Sequence, residues 1–310
     1  MGRRVKFMPD PPQEPWNEIV QDFIDYKEAV HCSPKTIHGY KHTLSIFRER
    51  TEPDLDDPPA LKRAVMRFLK DYENPYSYNL HRAYLRAFFN WCIEEEIIRG
   101  KNPVKGTPYR TTSPRIRHLD DKTLMALISA PDRRTYDGVR DHAIMLVMLD
   151  CGIRPGEILQ LLPRDFNARR GTICVSDRAA KSRIERTLSV SSTTVNAINK
   201  LISKRHPLWE GDVPIFCSRD GKRMKVTSWT HAFKKHVRRK ALDDTITSYD
   251  LRHTFAIMFL RNGGNLFALK TIMGHQELKM TERYARFIGR DVKLEHEKAS
   301  PVKYLMNKRV

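Results

Sequence analysis

The segment SYDLRHTFAIMFLRNGG, residues 248–264, constrains this chain more than any other. Ser248 suits a helix N-cap, and Gly263 or Gly264 suits its end. Between them Leu251, Phe255, Ala256, Ile257, Met258, Phe259 and Leu260 make the helix apolar on nearly every side. Such a helix has to be enclosed by other elements. Arg252 sits in its first turn, and the residues three and four positions away are Tyr249, Ser248, Phe255 and Ala256. None is a carboxylate. A buried guanidinium without a counter-charge is costly, and an external anion resolves that cost.

The whole chain points to anions of the same kind. Its 310 residues hold 56 Lys and Arg against 37 Asp and Glu, a net charge of +19, with a pI near 9.8. A folded chain this basic answers to a polyanion, nucleic acid first. A membrane is the weaker reading, because no basic amphipathic helix or lipidation signal is present. The longest apolar run, AIMLVML at 143–149, is too short to span a bilayer and stops at Asp150. The N-terminal MGRRVKFMPDPP lacks a signal-peptide core, so a cytoplasmic location is expected. The five cysteines (Cys32, Cys92, Cys151, Cys174, Cys217) are scattered and read as reduced thiols. There is no CxxC, HExxH or GxxxxGK[ST] pattern, and no metal or other cofactor is expected.

Charge divides the chain unevenly. Residues 1–110 sum to +2 and residues 111–310 to +17, with +11 in 181–240 alone. Between the halves, KNPVKGTPYRTTSPR (101–115) reads as a linker. The first half is expected to be all-helical. SPKTIHGYKHTLSIF opens on a Ser33 cap and lines up Ile37, Tyr40, Leu44 and Phe47. YNLHRAYLRAFFNWCIEEEII is expected to bury Ala83, Tyr84, Ala87, Phe88 and Trp91. That leaves Asn79, Arg82 and Arg86 on a polar face, either solvated or laid in a DNA groove. The second half reads as helices around a small antiparallel hairpin, strands GTICVS and RIERTLSV joined by DRAAK. The fold class is therefore mainly α with a small antiparallel β-sheet.

Further motifs stand around that hairpin. In CGIRPGEILQL, Gly152 ends one helix, Pro155 starts the next, and Glu157 reinforces its N-terminus. Arg154, held extended before proline, either pairs locally with Glu157 or aims its planar fork at a phosphate. Lys181, at the end of the turn, is the only lysine between Lys122 and Lys200. It can donate a proton where neighbouring Arg178 and Arg183 cannot. In GHQELKMTERY, residues 274–284, His275 and Tyr284 would face opposite ways on one helix. A break after Gly274, with Thr281 capping a new helix, would let the two rings converge.

GIRPGE, a hairpin lysine, LRHTF, and GH followed nine residues later by tyrosine together resemble the tyrosine recombinases, or phage-integrase family. IIRGKNPVKG resembles the exit from that family's helical core-binding domain. The resemblance implies two domains, a DNA-binding one over 14–106 and a catalytic one over 115–310. It implies site-specific breakage and rejoining of double-stranded DNA by a homotetramer, without a cofactor. Residue by residue, it makes Tyr284 the nucleophile, forming a 3′-phosphotyrosyl link. Arg154, Arg252 and His275 become the phosphate clamp, and Lys181 the acid that protonates the leaving 5′-oxygen. Lys35, Lys41, Arg82, Arg86 and Arg183 are expected to contact DNA.

Two positions depart from the family pattern. Its second box reads His-x-x-Arg, whereas here Tyr249 stands three residues before Arg252. A phenol can hydrogen-bond but is a poor base at neutral pH, so Tyr249 is expected to be auxiliary, and His253 to pack away from the site. The strand also carries Ser189 where the family has proline. The tyrosine at 249 favours a mobile-element enzyme. A Xer-like resolvase, a type IB topoisomerase-like enzyme and a catalytically weakened DNA-binding protein remain as alternatives, and a metal-dependent nuclease ranks last.

Overall fold

A computed structural model describes residues 15–112, 116–176, 185–287, 296 and 300–307. The chain forms two compact units, Met1–Pro114 and Arg115–Val310.

The first unit is helical: α1 (Pro15–Ala29), α2 (Pro34–Thr51), α3 (Pro58–Lys70) and α4 (Pro75–Glu94). Each of the last three starts with proline behind a polar cap, Ser33, Asp57 or Asn74, whose side chain accepts a backbone N–H. Proline fits there because the first helical N–H has no intrahelical partner. The expected stripe Ile37, Tyr40, Leu44 and Phe47 is buried. It meets a cluster of rings, with Phe47 and Phe68 edge to face at 5.3 Å and Phe23 and Phe88 at 5.2 Å. Burying each phenylalanine contributes roughly 1.5–3 kcal/mol.

Helix α4 is rotated from its expected orientation. Tyr78, Asn79, His81, Leu85, Phe88, Phe89 and Trp91 are buried, while Ala83 is exposed. Asn79 can be buried because its amide is satisfied by the chain leaving the unit: it donates to the Arg110 carbonyl at 2.7 Å and accepts from the Arg110 N–H at 3.0 Å.

The second unit contains α5 (Asp121–Ser129), α6 (Tyr136–Cys151), the single turn α7 (Pro155–Ile158), α8 (Ser192–Ile202), α9 (Val226–Arg239), α10 (Ser248–Arg261), α11 (Leu266–Met273) and α12 (Lys279–Ala285). Its sheet has three strands where two were expected. A short β1 (Phe166–Asn167) joins β2 (Thr172–Val175) and β3 (Arg186–Ser189), in antiparallel order β1-β2-β3. Two residues carry no period, so β1 was invisible in the sequence.

Helix α10 is enclosed, as its composition demands. On one side Leu251 joins the main core with Ile144, Val147 and Met148 of α6. On the other, Phe255, Ala256, Ile257 and Leu260 pack with Leu269, Met273 and Tyr284. The residue preceding α10 is Thr247, one earlier than the expected cap Ser248, and its N–H donates to Asp250 at 2.8 Å. Gly152 closes α6 at φ 61°, and a Cβ there would strike the Phe255 ring. That glycine is needed for both reasons.

Candidate active site

Four short-range signals bring the site together. Arg154 stands before Pro155 with φ −74° and ψ 145°, extended at the corner between α6 and α7. Arg252 opens α10, His275 follows the left-handed glycine that ends α11, and Tyr284 lies on α12. The chain breaks between His275 and Tyr284, so the two rings converge, near-parallel with centroids 6.4 Å apart. Arg154, Tyr249, Arg252, His253, His275 and Tyr284 all line one cavity of about 290 Å³. A larger, mostly apolar cavity of about 910 Å³ lies in the first unit beside Met66 and Tyr78. It holds no nucleophile next to a base, and chemistry rather than size selects the smaller one.

Arg252 is 3% exposed. Its donors reach the Gly152 carbonyl, the Met273 carbonyl at 2.8 Å and Nε2 of His275 at 3.1 Å. All three partners are uncharged. Burial, with Arg154 nearby, pushes its pKa down to about 10, so it remains a cation at neutral pH.

The carboxylate whose charge acts on Arg252 is already shared. Glu157 accepts from Arg154 at 2.8 Å and from Arg186 at 2.6 Å. Arg154 thus pairs locally with Glu157, and its other terminal nitrogen donates to the Gly274 carbonyl at 3.1 Å beside the cavity. Arg186 was missed in the sequence. On β3 the even positions point inward, burying Arg186 and Leu188 while Thr187 and Ser189 face out. Strand parity was the available signal. The Arg186 guanidinium lies so near Gly274 that a Cβ there would sit 3.0 Å from it, and φ there is 60°. Arg154 and Arg186 both bond Glu157, whose charge also acts on Arg252.

His275 is oriented from both sides. Since the Arg252 guanidinium can only donate, Nε2 of the neutral imidazole accepts, and Nδ1 carries the proton to Thr281 Oγ1 at 2.8 Å. Burial first, then Arg252 and Arg154, lower the His275 pKa to about 3. Thr281 was expected to cap α12. It is instead buried inside that helix, and Leu278 occupies the cap position. Its hydroxyl serves the histidine, a contact no local pattern announces.

His253 corrects a second expectation. One step beyond Arg252 along α10, it was expected to pack away from the site, but its Nδ1 lies 2.8 Å from the Tyr284 hydroxyl. α12 approaches α10 from the side to which that step turns. Burial lowers the His253 pKa, and burial raises that of Tyr284 against the opposing pull of Arg252. Tyr284 is 3% exposed and Tyr249 48%. Tyr249 borders the cavity at its rim.

Lys181 and Arg183 fall outside the described residues. Lys35, Lys41 and Arg86 are exposed. Arg82 is half-buried and its fork grips Thr107, with Nε 2.8 Å from the hydroxyl and Nη2 2.9 Å from the carbonyl. That bond ties α4 to the chain leaving the unit, because an arginine at the edge of a helix finds backbone acceptors close by.

A deep tyrosine beside two arginines and two histidines defines a phosphoryl-transfer class of site. The family model described as the phage integrase family matches residues 117–288. This span is more than half of the chain, and the chain belongs to that family. It is 25% identical over 283 residues to the tyrosine recombinase XerD of Listeria monocytogenes serovar 1/2a, covering 86% of this chain and 93% of that protein. The fold is similar to the Tn1549 transposon integrase in complex with a circular intermediate DNA, at TM-score 0.73 and 19% identity, covering 91% of this chain and 99% of that one. It is also similar to a lambda integrase tetramer bound to a Holliday junction, at TM-score 0.71 and 16% identity over 89% and 78% of the two chains. No described helix is long and apolar enough to cross a membrane.

Proposed function

We propose that this chain is a site-specific recombinase that cuts and rejoins double-stranded DNA through a 3′-phosphotyrosyl intermediate on Tyr284. One observation carries the reading. The Tyr284 hydroxyl shares a cavity with a buried Arg252 whose partners are all uncharged.

A scissile phosphate brings Arg252 the anion its site otherwise lacks, and Arg154 adds a second guanidinium at the mouth. As the tyrosine oxygen attacks, charge accumulates on the non-bridging oxygens, where arginines fixed in advance stabilise it most. His275, held by Thr281, completes that clamp. Lys181 is assigned as the acid that protonates the departing 5′-oxygen, because a leaving alkoxide needs a proton and lysine can give one. The covalent link stores the energy of the broken bond, so strands exchange without nucleotide hydrolysis.

Residues 14–106 act as the core-binding domain and 115–310 as the catalytic domain, with Lys35, Lys41, Arg86 and Arg183 as phosphate contacts. Four protomers synapse two DNA sites, in the manner of the lambda integrase tetramer, and the enzyme works in the cytoplasm. Tyr249 in the second box favours service to a mobile element over chromosome-dimer resolution.

A nicked suicide substrate tests the reading. Wild-type protein should form a covalent adduct that maps to Tyr284, and Tyr284→Phe should bind the same DNA and form none. An adduct on another tyrosine, or none from the wild type, refutes it.

A further inference from the structure

Tyr284 poses a problem of its own. Its hydroxyl is buried, and burial makes its proton harder to remove. The nucleophile nevertheless has to lose that proton as it attacks. In this chain the second-box position holds Tyr249, half exposed at the rim, and a phenol is a poor acceptor for another phenol's proton.

Among the described residues, one basic atom is hydrogen-bonded to the Tyr284 hydroxyl. Nδ1 of His253 stands 2.8 Å from it, with the rings 5.7 Å apart at 45°. The other imidazole, His275, cannot take the role, because Nδ1 is bound to Thr281 and Nε2 to Arg252. Hydrogen-bond distance between nucleophile and base is the geometric requirement for activation. Resting on the recombinase reading above, we propose that His253 is the general base for Tyr284, so that the base has moved from the second-box position to the residue following Arg252.

The step balances. The Tyr284 O–H bond breaks and its proton passes to Nδ1 of His253, which becomes an imidazolium. The tyrosine oxygen forms its bond to phosphorus, the bond from phosphorus to the 5′-oxygen breaks, and that oxygen collects a proton from the general acid assigned to Lys181. Rejoining runs the same transfers backwards, returning the proton from His253 to the tyrosine.

The charged groups around His253 fit the cycle. Asp250 on its own helix favours the imidazolium, whereas Arg252 and, from α12, Arg283 oppose it. Together with burial they keep the ring neutral and able to accept at neutral pH. Cleavage should therefore rise with pH through the acid range, where His253 loses its proton, and level off below neutrality.

Single-turnover cleavage of the suicide substrate, followed from pH 5 to 8, tests the assignment. His253→Gln keeps a hydrogen-bonding side chain but no titrating base. It should bind DNA like the wild type and cleave about a hundredfold more slowly or worse. The wild-type limb should vanish, replaced by a rate that still climbs at pH 8. A 5′-phosphorothiolate, which spares the general acid, should rescue Lys181→Ala but not His253→Gln. Tyr249→Phe should keep the wild-type pH profile.

Three results overturn the proposal: a His253→Gln rate within threefold of wild type, a faster rate (which would make the contact a latch on the free enzyme), or an unchanged pH limb. If the wild type itself forms no adduct, the recombinase reading fails first. An adduct with an indifferent His253→Gln refutes the base alone. Circular dichroism of the variant checks that the fold is kept, and His253→Asn gives a second, smaller replacement should Gln perturb it.

Discussion

Two arginines of the second unit are almost equally buried and bonded in opposite ways. Arg140, on α6, is 5% exposed and faces carboxylates. Its nitrogens reach Asp141 at 2.8 and 3.0 Å, Asp137 at 3.0 Å and the Cys217 carbonyl at 3.2 Å. Asp141 in turn holds His236 at 2.9 Å. Arg252 meets two carbonyls and an imidazole, and the nearby Glu157 is committed to Arg154 and Arg186. A buried guanidinium neutralised within the fold is part of the scaffold. One left with neutral partners is primed for an anion from outside, and burial alone does not distinguish the two.

The largest effect is expected on the scaffold side. Arg140→Gln leaves the buried Asp141 without its guanidinium, while Asp137 keeps Arg219 at 2.6 Å, and should cost about 3–5 kcal/mol of stability, the usual result of breaking a buried ion pair from one side. Denaturant unfolding measures this directly. A loss below about 1 kcal/mol would remove the contrast, since Arg140 would then contribute no more than a surface pair.

Arg252→Gln should divide its effect the other way. Removing a guanidinium that no carboxylate bonds directly should lower stability less than Arg140→Gln does. It should also slow formation of the covalent adduct about 10²–10³-fold, the range for losing one pre-placed transition-state donor. Equal unfolding midpoints for the two variants, or an Arg252→Gln enzyme that cleaves normally, would break the comparison.

The same contrast explains what could be read in the sequence. The missing counter-charge of Arg252 was visible because the absence is local: no carboxylate stands three or four residues away on its helix. Arg154 before Pro155 and the glycine stops at 152 and 274 were legible for the same reason, since each depends on the backbone preferences of adjacent residues. Arg186, Thr281 and His253 were not, because each takes its meaning from a partner on another element. Arg186 reaches from a strand to Glu157, 29 positions away, and His253 reaches Tyr284 over 31. The partner of Arg82 was hidden in the same way. Its helical position marks it as polar, but only the folded chain returns Thr107 to within 2.8 Å of it.

The smallest predicted effect concerns Tyr249, and it extends the comparison from arginines to the two side chains that flank Arg252. Tyr249 and His253 are one turn apart on α10 and border the same cavity. His253 is bonded to the nucleophile, whereas Tyr249 is 48% exposed at the rim. Its hydroxyl can offer a bound phosphate one neutral hydrogen bond, worth about 0.5–1.5 kcal/mol. Tyr249→Phe should then slow cleavage roughly twofold to tenfold, with DNA binding kept. Solvent near the rim can replace the lost donor, which places the expected value toward the lower end. Adduct formation under single-turnover conditions reads this without interference from later strand exchange. A Tyr249→Phe enzyme as inactive as Tyr284→Phe would reverse the ranking of the two neighbours. The second-box side chain would then be taking part in proton transfer from the rim, and the contact between His253 and Tyr284 would be structural.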